Sequence, residues 1–309
     1  MTEAGGARYR AGMNTTTLSA LFAAGMITAV AGTAAPMTLQ DYLALTGPEP
    51  TAHIAYGPAP SQYAELFLPK GNGPFPVAVI VHGGCWTRGF GGIVQMRDMA
   101  GALVAHGIAV WNVEYRRLEE GGGYPGTYLD MNAATDKLAS VAPGYGLDLG
   151  RLVAVGHSAG GQLVQWLAGR NRIPGASPLH QARPLAIPHV VSLGGLADLR
   201  HEGELIGSSC EVDVARLTGN ASTARPDVYA DTNAAELMPN GSQTTLITGE
   251  LDTVSPPRVA HDYAARALTA GDRAQVVILP GASHYDEVAT RSASWPLVFG
   301  AIRRALGMP

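Results

Sequence analysis

Apolar residues fall along this chain in short unbroken runs separated by longer stretches with helical spacing. Val77 to Val81, Ile108 to Val113, Leu152 to Val155 and Val190 to Leu193 are such runs, and Thr245 to Thr248 and Gln275 to Leu279 continue the series. Runs of this length without apolar/polar alternation predict strands covered on both faces. Between them Met96 to His106, closed by Gly107, and Thr127 to Val141, with Met131, Ala134, Leu138 and Val141 in register, predict helices, the second stopped by Pro143-Gly144. Further helices are predicted at Gln162 to Ala168, Pro257 to Ala270 and Trp295 to Leu306. Tyr63 to Leu68 alternates before Pro69 and predicts an edge strand, with Gly71-Asn72-Gly73-Pro74 as the turn out of it. Strands alternating with helices imply an α/β fold: a mostly parallel twisted sheet with helices on both faces. No internal repeat is present. The polar, irregular interval Leu199 to Met238 is too long for a simple connection and predicts a small cap insertion.

Composition narrows this picture. Charged residues are 15% of the 309 and hydrophobic ones 46%, as a doubly covered sheet requires. Residues 36–309 are enough for one large domain. A net charge of −4 and the lack of any Lys/Arg run exclude nucleic acid and anionic membrane surfaces as expected partners. Two cysteines, Cys85 and Cys210, are too few for a disulfide framework or a Cys-rich zinc site, and a single bridge between them is left open. His201-Glu202 is followed by Leu205 where a zincin helix needs its second histidine, and no phosphate loop occurs, so no metal or cofactor is expected. Arg8 and Arg10 precede the apolar run Leu18 to Gly32, and Ala29-Val30-Ala31 or Thr33-Ala34-Ala35 offers a cleavage site. Residues 1–35 therefore read as a signal peptide or disordered leader of a secreted or periplasmic protein; translation from Met37 is the cytoplasmic alternative. No segment has the length of a membrane span. The oligomeric state is not legible.

The chemistry concentrates just after the strands, where open parallel sheets bind their ligands. Leu152 to Val155 runs into Gly156-His157-Ser158-Ala159-Gly160 and then directly into a helix. This pattern puts Ser158 on a sharp turn with its hydroxyl exposed above the sheet and a helix N-terminus behind it. After Val77 to Val81 comes His82-Gly83-Gly84-Cys85-Trp86, whose backbone N–H groups, read as those of Gly84 and Cys85 with Gly83 as the alternative, would hold an oxyanion together with the Ala159 N–H. Two later strands deliver Gly249-Glu250-Leu251-Asp252 and Pro280-Gly281-Ala282-Ser283-His284, so nucleophile, acid and base follow in the order Ser158, Asp252, His284. Glu250 and Asp198 are rival acids, and Asp286 and Glu287 read as solvated loop charges. Glu114-Tyr115-Arg116 reads as a loop brace, His82 as a hydrogen-bonded strut, Cys85 as a small apolar filler, and Trp86 and Tyr124 as substrate-pocket walls.

The motifs Gly156 to Gly161 and His82 to Trp86, with Glu114 to Arg116, Asp252 and His284, resemble the α/β-hydrolase superfamily, within it the esterase and kynurenine formamidase-like branch. The resemblance runs from about Tyr63 to Leu306. It implies a metal-free serine hydrolase that forms an acyl-enzyme with a small-molecule ester or amide. Carboxylic ester hydrolysis leads, arylformamidase activity is the alternative, and a non-catalytic binding module is the reading from another class. Cys85 departs from the glycine or aromatic residue common in related loops. Glu202, Glu204, Glu211, Asp213 and Arg216 interrupt the cap, which points to short acyl groups rather than lipid.

Overall fold

The computed structural model describes residues 35–309. The leader expected over residues 1–35 thus lies outside the described residues, save for Ala35. The first half of the chain gives α1 (Leu39–Leu43), β1 (Ala52–Ala55), β2 (Tyr63–Phe67), β3 (Phe75–Val81), α2 (Arg97–Ala105), β4 (Ala109–Val113) and α3 (Gly126–Val141). The second gives β5 (Leu147–His157), α4 (Ala159–Ala168), β6 (His189–Leu193), α5 (Gly203–Cys210), α6 (Ala215–Thr218), β7 (Gln243–Gly249), α7 (Pro257–Ala270), β8 (Arg273–Leu279) and α8 (Trp295–Ala305).

One eight-stranded sheet has the order β1-β2-β4-β3-β5-β6-β7-β8. Strands β3 to β8 pair in parallel, and β1 and β2 are antiparallel additions beside β4. This is the α/β-hydrolase fold. Tyr63–Phe67 is therefore not the edge strand that its alternation suggests. Ala52–Ala55 takes the edge, with alternate residues exposed, and covers β2.

The unbroken apolar runs are explained by the two-residue period of a strand. Val77, Val79 and Val81 of β3 enter one core with Met131 of α3, Leu163 of α4 and Tyr263 of α7. Ala78 and Ile80 enter the other with Met99 and Leu103 of α2, Val298 and Ile302 of α8, and Tyr42 of α1. Every residue of α4 is buried, so this helix is fixed along its length and its N-terminus is a rigid platform. Within Leu199 to Met238, α5, α6 and the link between them bury Ile206, Cys210, Val212, Val214 and Leu217 against the first core, while Glu204, Glu211, Asp213 and Arg216 stay outside.

Candidate active site

Ser158 connects β5 to α4 with φ 54° and ψ −118°, a backbone conformation that an L-residue holds only when its surroundings impose it. The reason for the flanking glycines is close approach. A Cβ on Gly156 would lie 2.1 Å from the Gly160 carbonyl oxygen, and one on Gly160 would lie 2.1 Å from that of Val81. The Ser158 N–H donates to the Leu193 carbonyl at 2.8 Å, which locks the turn to β6. The next amide, that of Ala159, opens α4.

The loops after β7 and β8 bring Asp252 and His284 together. His284 Nδ1 and Asp252 Oδ2 are 2.7 Å apart, and both residues are buried. Asp252 Oδ1 accepts the backbone N–H groups of Val254 and Ser255 at 2.7 and 2.8 Å, so three donors orient this carboxylate. Of its rivals, Glu250 is exposed and accepts the Gly281 N–H. Asp198 bonds Asn233, His201 and Arg266 and ties the base of the cap together. Burial works against its charge, but Asn233, Arg266 and His201 outweigh it and hold the Asp198 pKa below the usual carboxylate range.

Ser158, His284, Gly84 and Cys85 line one small cavity of about 40 Å³, closed by Leu39, Tyr42, Phe90, His157, Ser209, Val254 and Tyr285. Two helices that the sequence did not connect with the site contribute to it: α1 supplies Leu39 and Tyr42, and α5 supplies Ser209. The segment before α1 is tied to the histidine loop, where the Met37 N–H donates to Asp286 at 3.0 Å and the Ser283 hydroxyl donates to the Met37 carbonyl at 2.7 Å.

Cys85 is not a simple filler. It forms a disulfide with Cys210 across 125 residues, which ties the glycine-rich loop to the last residue of α5. Gly84, Cys85 and Trp86 all have positive φ, 100°, 54° and 54°; Gly84 and Cys85 border the cavity, and Trp86 turns into the core. Trp86 is consequently no pocket wall. It is 1% exposed and packs in the core, while Phe90 occupies the wall. Tyr124 does not line the Ser158 cavity either. Its ring lies under the Arg225 guanidinium at 4.0 Å and borders a separate cavity of about 450 Å³ with Pro174, Pro178 and Asp231, because the chain following α6 folds over it.

The expected braces are in place. His82 Nε2 lies 2.8 Å from Glu114, which also takes Arg117 at 3.0 Å. Burial alone would raise the Glu114 pKa, but His82 and Arg117 outweigh it and the net shift is down. Arg116 pairs with Asp130 rather than with Glu114. His157 packs its ring 4.5 Å from that of His284, and its Nε2 is 3.0 Å from the His284 carbonyl. Burial and the neighbouring His284 push its pKa well down, so it is a neutral support.

Asp286 and Glu287 are not solvated. Asp286 accepts from Ser283, Ser292 and Met37, and Glu287 is fully buried with Oε1 accepting the Gly249 N–H at 2.7 Å. His157, His284 and Glu287 are the one group of three among the described residues whose metal-capable atoms come within 4.8 Å of one another. Within this set His157 Nε2, His284 Nδ1 and Glu287 Oε1 have protein partners, whereas His157 Nδ1 and Glu287 Oε2 have none among the described residues.

The model of the BD-FAE family matches residues 64–266, and no curated protein sequence matches the chain. Among solved structures, a truncated carbohydrate esterase from gut microbiota aligns with TM-score 0.69 at 19% identity over 89% of this chain and 100% of that one. A C6-C4 SN3-inhibited esterase B from Lactobacillus rhamnosis aligns at 0.70 and 18% over 86% and 89%. An acetyl ester-xyloside bifunctional hydrolase from Caldicellulosiruptor lactoaceticus aligns at 0.65 and 16% over 84% and 97%. At such identities the likeness is one of fold. The family match is of a different kind, since it covers about two thirds of the chain and takes in the glycine-rich loop, the Ser158 turn and Asp252; on it, this chain belongs to the BD-FAE family.

Proposed function

We propose that the protein is a serine hydrolase of small carboxylic esters, with Ser158 as nucleophile, His284 as general base and acid, and Asp252 as the acid that orients it. The observation that carries this reading is the convergence of Ser158, His284, Gly84 and Cys85 on one cavity, with His284 Nδ1 held by a carboxylate that three donors orient. Asp252 fixes the tautomer that keeps the His284 Nε2 lone pair free, so that nitrogen takes the Ser158 proton as Oγ attacks the ester carbonyl. The amides of Ala159 and of Gly84 or Cys85 hold the oxyanion. The alcohol leaves with the proton from His284, and water then hydrolyses the acyl-enzyme by the same steps in reverse.

The neighbours' names, a carbohydrate esterase and an acetyl ester-xyloside hydrolase, support an acetylated or otherwise short-acyl carbohydrate ester as the substrate class. The 40 Å³ cavity, bounded by Tyr42, Phe90 and Tyr285, supports the same acyl size. For p-nitrophenyl esters from acetate to palmitate, kcat/KM is expected to peak at acetate to butyrate and to fall by about tenfold or more at octanoate, because each methylene that clashes costs more than the roughly 0.8 kcal/mol that a buried one contributes. A peak at octanoate or longer overturns the short-acyl reading. N-formylkynurenine belongs in the same panel, where a rate above every ester would establish the arylformamidase alternative. Labelling by a fluorophosphonate separates an enzyme from a binding module, since only an activated serine reacts.

Export belongs to the same proposal. The basic start, apolar run and small-residue cleavage sites support it, and so does the Cys85–Cys210 disulfide, a bond that reducing cytosol does not sustain. N-terminal sequencing of protein from its native host is expected to find chains starting near residue 36. Chains that start at Met1 contradict export, and chains that start at Met37 indicate the cytoplasm.

A further inference from the structure

Behind the Asp252–His284 pair lies a second carboxyl group that the steps above do not use. Glu287 is 0% exposed. Its Oε1 accepts the Gly249 N–H, while its Oε2 is buried with no hydrogen-bond partner among the described residues. That free oxygen points at the site. A Cβ built on Gly194 would lie 2.6 Å from Glu287 Oε2 and 2.7 Å from His284 Nδ1, and the absence of a side chain at Gly194 is what lets the two groups approach. Asp252 meets the same His284 Nδ1 at 2.7 Å, which makes its carboxylate a charged, hydrogen-bonding neighbour of Glu287.

Counting lone pairs fixes the arrangement. An ionised carboxylate offers about four acceptor sites, and Asp252 has three filled, by Val254 and Ser255 on Oδ1 and by His284 on Oδ2. One site remains on Oδ2, and Glu287 holds a carboxyl oxygen that has no donor of its own. Two buried carboxylates against one neutral imidazole would be costly, whereas one proton shared between them satisfies both orphaned positions. Because Asp252 already receives three donors, the proton resides on Glu287.

We infer that Glu287 is a positioning residue whose carboxylic acid O–H donates to Asp252 Oδ2, holding that carboxylate against His284 Nδ1 and leaving the pair with a single negative charge. The inference rests on the assignment of Ser158, His284 and Asp252 given above. Burial, followed by the charge of Asp252, pushes the Glu287 pKa well up, in agreement with this geometry. The titratable groups that face it are Asp252 from the loop after β7, His284 and Asp286 from its own loop, and His157 from the end of β5.

Glu287→Gln keeps the acceptor for Gly249 and offers an N–H to Asp252; Glu287→Leu keeps neither. E287Q is expected to retain kcat within about threefold of the wild type and to keep the acid limb of its pH profile. E287L is expected to lose about tenfold or more in kcat and to shift the acid limb upward, since Asp252 without its fourth donor makes His284 more basic. A folded E287L with wild-type kcat and pH profile overturns the inference, as does E287Q falling as far as E287L. Should E287L fail to fold, the Tm difference and the infrared band of E287Q decide. The folded wild type keeps a proton on Glu287 above the ordinary glutamate value of 4.5, which the unfolded chain releases, so wild-type stability falls with rising pH from there. The Tm of E287Q relative to wild type must therefore rise between about pH 5 and about pH 8, and the infrared C=O band of a protonated carboxyl must be lost. A flat Tm difference or no such band overturns the proposal. Ser158→Ala run alongside separates the two levels: activity surviving in S158A removes the catalytic assignment itself, whereas its loss beside an unaffected E287L removes only the role of Glu287.

Discussion

Replacing Ser158 by alanine is expected to lower kcat by about 10⁴-fold or more, and His284→Ala and Asp252→Asn to do nearly as much, while Tm moves by no more than a few degrees. The three act as one unit, because the base is useful only when it is both aimed at Oγ and held in the right tautomer. In D252N the amide would present N–H to His284 Nδ1, which favours the tautomer that carries its proton on Nε2 and so cannot accept one from Ser158. The S158A/H284A double mutant should accordingly be hardly worse than either single. Burst titration with a p-nitrophenyl ester and steady-state kinetics on the same preparations measure this. If D252N keeps wild-type turnover while Asp198→Asn loses it, the acid is assigned wrongly, although the ion pair of Asp198 with Arg266 and its hydrogen bond with His201 already place it at the base of the cap.

What could be read from the chain was what local sequence determines. The Ser158 turn was legible because strand, turn and helix are contiguous and because the glycines at Gly156 and Gly160 answer to backbone atoms 2.1 Å away. Asp252 and His284 were legible because each follows an apolar run that reads as a strand, although the run before His284 forms the partly exposed edge strand β8 rather than one covered on both faces. Side-chain direction in loops was not legible, since it depends on what covers the loop. Trp86 reads as a wall until the positive φ at Gly84, Cys85 and Trp86 turns its ring into the core. Glu287 reads as solvated until the turn after His284 brings residue 287 back toward the same side, while Asp286 faces Ser283 and Ser292. Pairings distant in sequence were equally hidden: α1 against the cavity, Ala52–Ala55 as the edge strand beside β2, and whether the bridge left open between Cys85 and Cys210 forms.

The last of these pairings carries the second large effect. The bridge spans 125 residues and joins the loop proposed to bind the oxyanion to the cap helix α5, whose Ser209 lines the cavity beside Ser158. Its loss should therefore act on stability and on turnover together. Closing so long a loop is worth about 2–4 kcal/mol, so Cys85→Ala and Cys210→Ala are each expected to lower Tm by roughly 5–10 °C. Because Cys85 holds its φ of 54° inside a loop anchored on one side by β3 and on the other by this bond, release lets its amide relax away from the oxyanion position. A fully removed oxyanion donor costs about 10²–10³ in kcat; a loosened one should cost about tenfold, with KM changing less. The double mutant should match the single mutants, since all three remove one interaction. Dithiothreitol acting on the wild type should reproduce both changes and expose two thiols per chain. Unchanged Tm and kcat after reduction would show that the cap and the glycine-rich loop hold each other by packing alone. A fall in both would make activity depend on an oxidising compartment, the same compartment that the basic and apolar start of the chain points to.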